Sequence, residues 1–289
     1  MASLTIGIIG NGFVGRATSL FAGPFVKVLV YDIDPEKCVP LGTSLSVIAY
    51  SCDLIFVCVP TPIEMTSNKC HLGFVESAIE SLRQNRPFGS IVLRSTVPPG
   101  TCYNLGVHHF PEFLRERTWN IDFQETSKWV IGECKNKTLV NQNDVNLFNS
   151  RMVQLLKHAT RDKQIGGSDI YWATTDESEL VKYSRNAFLA TKLSFFNEIE
   201  SFARAKGINY NIVAELVGID SRIGKTHMQV PGPDNERGFG GTCFPKDITA
   251  LQTEMKNADV ESPILDAVIN RNNTIDRPNP NWEHGRTIV

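Results

Sequence analysis

Thr5-Ile6-Gly7-Ile8-Ile9-Gly10-Asn11-Gly12-Phe13-Val14-Gly15 is the stretch on which the fold turns. A run of β-branched residues reads as a strand buried on both faces. It leads directly into G-x-G-x-x-G, and the residues from Gly15 to about Ala22 read as a helix. In that context each glycine has a physical task. Gly10 permits the tight turn, Gly12 lets the backbone approach a pyrophosphate, and Gly15 allows close helix–strand packing. The helix N-terminus offers N–H groups and a positive dipole end to the phosphates. Gly10, Gly12, Phe13, Val14 and Gly15 are therefore the candidate contacts. The next strand, Val26–Tyr31, ends beside Asp32, whose carboxylate suits the adenosine ribose hydroxyls. Together with Asp34 it repels a 2′-phosphate, so the expected cofactor is NAD rather than NADP.

Outward from this unit, the first half keeps alternating. Leu54–Val59 and Ile91–Arg94 read as further strands, and Val107–Phe110 and Trp129–Ile131 as two more. Strands separated by helical stretches imply right-handed βαβ units. The expected fold class is α/β, with a doubly wound Rossmann domain and a mostly parallel sheet over residues 1–172. Val59-Pro60-Thr61-Pro62 and Ser95-Thr96-Val97-Pro98-Pro99-Gly100-Thr101 follow the third and fourth strands, at the sheet edge where ligands bind; Thr61 and Thr96 are their candidate site residues.

The second half changes character. From Asp176 to Lys206 there is neither Pro nor Gly, Thr174-Thr175-Asp176-Glu177 fits a capping box, and Gly207 fits a stop. One helix of roughly 30 residues is expected, the centre of an all-α domain over 173–276. Shorter helices are expected at Asn211–Val217 and Ile248–Lys256, and a tail at 277–289.

Composition excludes several classes. Of the 289 residues 42% are apolar and the formal charge is −2, which allows a sizeable core but gives no bulk field for nucleic acid or an anionic membrane. The longest apolar stretches are far too short to span a bilayer, and Met1-Ala2-Ser3-Leu4 lacks the features of a signal peptide. Seven cysteines, an odd number without a CxxC pair, point to a reducing, cytoplasmic setting. The sequons at Asn136 and Asn272 are then chance occurrences. His108 and His109, adjacent in a strand, face opposite sides and read as structural; no metal site is expected. Gly218 and Gly224-Lys225-Thr226 mimic a phosphate loop, but the spacing is one residue too long and no apolar strand precedes it.

Gly238-Phe239-Gly240-Gly241-Thr242-Cys243-Phe244-Pro245-Lys246-Asp247 is the most informative segment of the second half. Cys243 follows a glycine turn and precedes a helix, where the dipole and Lys246 favour a thiolate nucleophile. Asp247 lies four residues on, one helical turn back towards the sulfur.

In their order along nearly the whole chain, these motifs resemble the UDP-glucose/GDP-mannose dehydrogenase family. The match includes Gly10–Gly15, Asp32, the Val-Pro-Thr-Pro segment, Ser95-Thr96-Val97-Pro98 and Pro111-Glu112-Phe113-Leu114-Arg115-Glu116. It continues with Lys182 and Asn186, Arg222-Ile223-Gly224, and Gly240–Asp247. The resemblance implies a four-electron oxidation with two NAD per nucleotide sugar, from alcohol through a Cys243 thiohemiacetal and thioester to a carboxylate. It makes Cys243 the nucleophile, Lys182 and Asn186 the oxyanion donors, Asp247 with Thr96 the proton handlers, and Glu112 the residue that assists hydrolysis. It places Lys246 and Glu116 near the nicotinamide half of NAD and Lys37 near the adenosine ribose. Glu112, Phe113, Leu114, Phe239 and Gly240 join Lys182 and Asn186 around the substrate, and Arg222 reaches the substrate of a neighbouring subunit. A homodimer through the long helix is implied.

Family members usually continue into a second Rossmann-like domain over the nucleotide, and this sequence stops near where that domain would begin. Truncation and a natural short form both remain open. Gln229-Val230-Pro231-Gly232-Pro233 reads as an insertion that substitutes for some of the missing contacts. UDP-glucose is the favoured substrate, with GDP-mannose and UDP-N-acetylhexosamines as alternatives. A two-electron β-hydroxyacid dehydrogenase and a non-catalytic NAD-binding subunit are the competing readings; the first needs no thiol.

Overall fold

In the computed structural model the described residues are 3–64 and 66–278, with the backbone of 287–288. Most of the tail expected at 277–289 thus lies outside the described residues. The chain forms two compact units. One comprises Met1–Thr61 and Leu72–Lys182, the other Pro62–His71 and Tyr183–Val289. The division falls inside the long helix rather than near residue 173, and a ten-residue segment of the first half folds with the second unit.

The first unit is a seven-stranded sheet with helices on both faces. Its elements are β1 (Leu4–Ile9), α1 (Phe13–Ser19), β2 (Val26–Tyr31), α2 (Leu45–Ser51) and β3 (Leu54–Val57). After the segment carrying β4 (Ile63–Glu64) come α3 (Gly73–Gln84), β5 (Ser90–Leu93), α4 (Thr101–Leu105), β6 (His108–His109), α5 (Trp119–Glu125), β7 (Lys128–Glu133), α6 (Gln142–Arg161) and β8 (Asp169–Thr174). Strand order is β2-β1-β3-β5-β6-β7-β8, parallel throughout except where β7 runs against β6. The chain leaves β1 to one side for β2 and returns to its other side for β3. That reversal is the topological switch point, and it opens a crevice at the carboxyl ends of β1 and β3. One core layer packs Ile6, Ile8, Ala17, Phe21, Phe56, Phe110 and Phe148 beneath α1, α5 and α6. The other packs Ile48, Ile55, Val57, Val75, Ile79, Leu82 and Leu93 beneath α2, α3 and α4. Strands buried on both sides explain the continuous apolar runs.

Strand β8 and helix α6 are among the elements that the sequence reading did not name. In β8 every residue is exposed or half-exposed, so its short apolar stretch Ile170–Ala173 lacks the burial on both faces that marks the inner strands. Helix α6 is capped by Asn141 and Asp144, a box without the usual Ser/Thr and Glu.

The second unit is built on α7 (Thr175–Ala205), with α8 (Tyr210–Val217), α9 (Phe244–Asn257), α10 (Pro263–Arg271) and a π-turn at Asn272–Asp276. At the start of α7, Thr174 N donates to Glu177 Oε2 at 2.7 Å and Glu177 N to Thr174 Oγ1 at 3.3 Å, the expected capping box. At its end, Ile208 N bonds to Ala203 O and Gly207 N to Arg204 O, while Gly207 takes φ +68°; this is a Schellman stop. The unit is not wholly helical, because β4 pairs with β9 (Thr287–Ile288). The 229–233 segment is integral to it. Met228 and Val230 lie in a cluster with Phe196, Ala203 and Tyr210, and Tyr210 Oη donates to Met228 O at 2.5 Å.

Candidate active site

The dinucleotide turn is built as the glycine spacing requires. Gly10 has φ +93°, and a side chain there would meet the Cys58 carbonyl. At Gly15 a Cβ would stand 2.0 Å from Gly10 O, so helix and turn touch backbone to backbone. Gly12, the N-cap of α1, has nothing within 4 Å of where its Cβ would be, and no side chain caps the helix. The first N–H groups of α1 thus have no capping side chain, and the space beside Gly12 is open, as an approaching pyrophosphate requires. Asp32 accepts from Asn11 N at 2.6 Å and Asp34 N at 3.0 Å, which fixes its carboxylate beside the turn. Lys37 pairs with Asp34 at 3.1 Å, and its carbonyl accepts from Asn11 Nδ2. Ile33, between the two aspartates, is 92% exposed; this apolar side chain was passed over in the sequence. These residues fit NAD.

Across the switch point Thr61 is buried, and Ser95 Oγ donates to Val59 O at 2.6 Å, tying the fourth-strand loop of Thr96 to the end of β3. In the same unit Lys182 Nζ stands 2.9 Å from Glu112 Oε1, both side chains being almost wholly buried. Glu112 Oε2 accepts from Leu114 N at 2.7 Å, and Lys182 lies 5.6 Å from the centroid of the Phe113 ring. Glu116 is exposed on the same loop. Arg94 escaped notice. Its guanidinium is buried 4.3 Å from the Phe110 centroid, where burial pushes its pKa down and Cys58 and Glu112 oppose that shift.

In the second unit, α9 begins at Phe244, four residues earlier than the helix read from the sequence, so Cys243 itself is its N-cap. Cys243 is half-buried while the other six cysteines are buried, and its sulfur lies 3.6 Å from Thr242 Oγ1. Asp247 N closes the first turn on Cys243 O at 2.8 Å. The Asp247 carboxylate is taken by Asn186 Nδ2 at 2.6 Å and by Lys246 Nζ at 2.5 Å. Burial disfavours the Lys246 ammonium. Asp247, with the Cys70 and Cys243 sulfurs, nevertheless holds its pKa above the ordinary lysine range. Cys70 belongs to the segment at Pro62–His71, and no local signal in the sequence connects it with a lysine so far along the chain.

The glycine turn before Cys243 is held from two sides. Asn197 Oδ1 accepts from Gly238 N at 3.0 Å, while Asn272 accepts from Phe239 N at 2.8 Å and donates to Phe239 O at 3.1 Å. The Phe239 ring packs with Ala187, Ala190 and Ile248, so its side chain is core and both its backbone groups are engaged. Arg277 lies against Gly240, where a Cβ would collide with its guanidinium, and donates to Asp234 at 2.8 Å. Arg222 is exposed and pairs with Asp220.

Residues 39–149 match the NAD-binding domain of the UDP-glucose/GDP-mannose dehydrogenase family, and residues 176–274 match its central domain. The chain belongs to the UDP-glucose/GDP-mannose dehydrogenase family. The cofactor of this family's N-terminal domain is NAD. A UDP-glucose 6-dehydrogenase of Rickettsia bellii is 34% identical over 233 residues, covering 76% of this chain and 49% of the relative. The UDP-glucose 6-dehydrogenase TuaD of Bacillus subtilis is 29% identical over 92% of this chain and 62% of its own length. The chain thus spans about half to three-fifths of these curated relatives. A UDP-glucose dehydrogenase structure from Pyrobaculum islandicum superposes with a TM-score of 0.77 at 26% identity, covering 93% of this chain and 68% of that one. A 3-hydroxyisobutyrate dehydrogenase of Mycobacterium tuberculosis shares the fold alone, at 14% identity and a TM-score of 0.68, with 93% and 92% of the two chains covered.

The two matched ranges take in the motifs from Val59 to Asp247, while Gly10–Gly15 and Asp32 lie before them. No helix among the described residues is long and apolar enough to cross a membrane.

Proposed function

We propose that this chain is the NAD-binding and thiol-bearing part of a nucleotide-sugar 6-dehydrogenase, with UDP-glucose as its first-choice substrate. The observation that carries the reading is Cys243, a half-buried cysteine at the N-cap of α9 with the Asn186–Asp247–Lys246 cluster beneath the same turn. A helix N-terminus favours a thiolate, and a dehydrogenase limited to two electrons has no use for one.

When bound, NAD accepts a hydride from C6 at each of two oxidations. This chain's residues handle everything else. Thr96 and Asp247 take the hydroxyl proton of the alcohol. The Cys243 sulfur adds to the resulting aldehyde carbon, and the carbonyl becomes the oxyanion of a thiohemiacetal. Lys182 and Asn186 stabilise that charge, since a fixed buried donor is already oriented when the charge develops. Loss of the second hydride leaves a thioester on Cys243. Glu112 assists a water in attacking it, the C–S bond breaks, and the carboxylate departs as the thiol is restored. The balance is UDP-glucose, two NAD+ and one water giving UDP-glucuronate, two NADH and three protons.

The partner favoured by the surface is a second copy of the chain. Phe188, Phe195 and Phe202 are exposed at intervals of seven along α7, and Ile212, Leu216 and Ile219 are exposed on and just after α8. A seven-residue apolar repeat keeps one helix face available for a matching helix.

The test is NADH release with UDP-glucose, GDP-mannose, UDP-N-acetylglucosamine and a small β-hydroxyacid. Two NADH per UDP-glucose are expected, with Cys243→Ser stalling or turning over at least a hundredfold more slowly. A fully active Cys243→Ala protein, or turnover of the hydroxyacid alone, overturns the reading.

A further inference from the structure

We propose that Glu179 is a positioning residue of this site: it takes the N–H groups of Gly100 and Cys102 and so fixes the loop bearing Thr96 to the helix segment bearing Lys182. The roles of Thr96 and Lys182 rest on the functional reading above; the grip itself does not.

The loop from Ser95 to Gly100 is pinned at its start by the Ser95–Val59 bond. It closes on itself where Thr101 Oγ1 and Thr101 N both donate to Pro98 O, at 2.7 and 3.2 Å. Its far end has no local support. Gly100, with φ +94°, is the N-cap of α4 and carries no side chain to receive the first N–H groups of that helix. The cap comes from 79 residues away. Glu179 Oε2 accepts from Gly100 N at 2.7 Å and Oε1 from Cys102 N at 2.8 Å. The side chain is fully buried. Glu179 stands three residues before Lys182, hence on the same face of α7. Its neighbour Ser178 bonds His109 Nδ1 at 2.7 Å on β6, so consecutive polar residues seat the start of α7 on the carboxyl edge of the sheet.

Both carboxylate oxygens are in use, and this makes the protonation state matter. A carboxylate offers two acceptor oxygens, whereas the protonated acid has one of them occupied by hydrogen. Burial raises the Glu179 pKa to about 7, against the opposing pull of the Cys102 and Gly100 donors. The titratable groups around it are Asp176 and Lys182 on its own helix, the Cys102 thiol of α4, and Cys134 just beyond β7. The loop is therefore held by two charge-assisted bonds above neutrality and by a weaker set below it.

The experiment labels glycine and cysteine with 15N and follows the Gly100 and Cys102 amides. In the wild-type protein both resonances shift with a midpoint near pH 7, and their exchange, corrected for the intrinsic pH dependence, slows at least tenfold from pH 6 to pH 8. In Glu179→Gln, which has one acceptor oxygen, the titration vanishes and exchange at pH 8 rises at least tenfold. The kcat with UDP-glucose falls at least tenfold, the NAD Kd stays within twofold, and the limb of the kcat profile near pH 7 disappears. Wild-type amides that do not titrate overturn the proposal, even where the variant does not fold. So does a Glu179→Gln protein with wild-type kcat. If no nucleotide sugar yields NADH with the wild-type chain, the functional reading falls, and the amide data still decide whether Glu179 holds the loop.

Discussion

Asn186 Nδ2 lies 2.6 Å from Asp247 Oδ2, and this hydrogen bond joins the long helix to the turn that begins at Cys243. Removing the charge while keeping the shape separates its two duties. Asp247→Asn leaves Lys246 buried without its carboxylate, so desolvation then governs that lysine and its pKa falls below the ordinary range. The expected result is a drop in kcat of at least a hundredfold with the far-ultraviolet spectrum retained. A variant with half the wild-type rate would place Asp247 outside the proton path.

The Lys182–Glu112 pair is buried at both ends, so deleting one partner strands a charge. Lys182→Met should cost about 3–5 kcal/mol in urea unfolding, and the double variant with Glu112→Gln should recover much of it. Equal, additive losses would indicate that the two groups do not interact in solution.

Gly12 and Gly15 predict opposite phenotypes. Gly15→Ala puts a methyl 2.0 Å from Gly10 O and should lower Tm by many degrees or prevent folding. Gly12→Ala meets open space, so Tm should stay within about 2 °C, a change of no more than about 1 kcal/mol. NAD affinity should fall more than tenfold because the methyl occupies the approach to the N–H groups. Calorimetry and NAD titration of the two variants distinguish a structural glycine from a binding one.

Thiol reactivity offers a direct check on Cys243. Burial raises the Cys52 pKa to about 12 and the Cys58 pKa to about 11, and the remaining cysteines other than Cys243 are buried as well. Brief iodoacetamide treatment of the folded protein should modify one site, found at Cys243 by peptide mapping, and the rate should drop when substrate is bound. Early labelling at several positions would contradict the burial pattern.

Acid stability follows from the histidines of β6. Burial lowers the pKa of both His108 and His109 to about 3. Between pH 3 and the unfolded value near 6.5 the unfolded chain binds more protons, so stability rises with pH across that window and is lost on acidification. Glu179, with its folded pKa raised, works in the opposite sense between about 4.5 and 7. Two histidines outweigh one glutamate, and the net slope is positive. His108→Phe keeps a ring on Phe148, now stacked at 3.7 Å, but removes the titrating nitrogens. Its stability should depend less on pH between 4 and 6, at a cost of about 1–3 kcal/mol at neutrality because Cys134 N loses its acceptor. An unchanged slope would show that His108 does not titrate on unfolding.

The packing of the insertion at Gln229–Pro233 changes what its deletion would measure. Met228 and Val230 are core, and Arg277 depends on Asp234 for its carboxylate partner. Deleting that stretch tests the stability of the second unit rather than the hold on a nucleotide.

The sequence by itself determined the glycine turn, the carboxylate at Asp32, the parallel strands, the bounds of α7 and the order of the family's motifs. Each of these is written in local chemistry: a glycine where φ is positive, a capping box, an unbroken apolar run. Tertiary structure alone decided that Cys243 is the N-cap itself, that Cys70 lies beside Lys246, that Asn272 and Arg277 grip the cysteine turn, and that Glu179 caps α4. Those pairings join residues from 33 to 176 positions apart, and a buried polar group chooses its partner by which elements pack together, which no local pattern encodes.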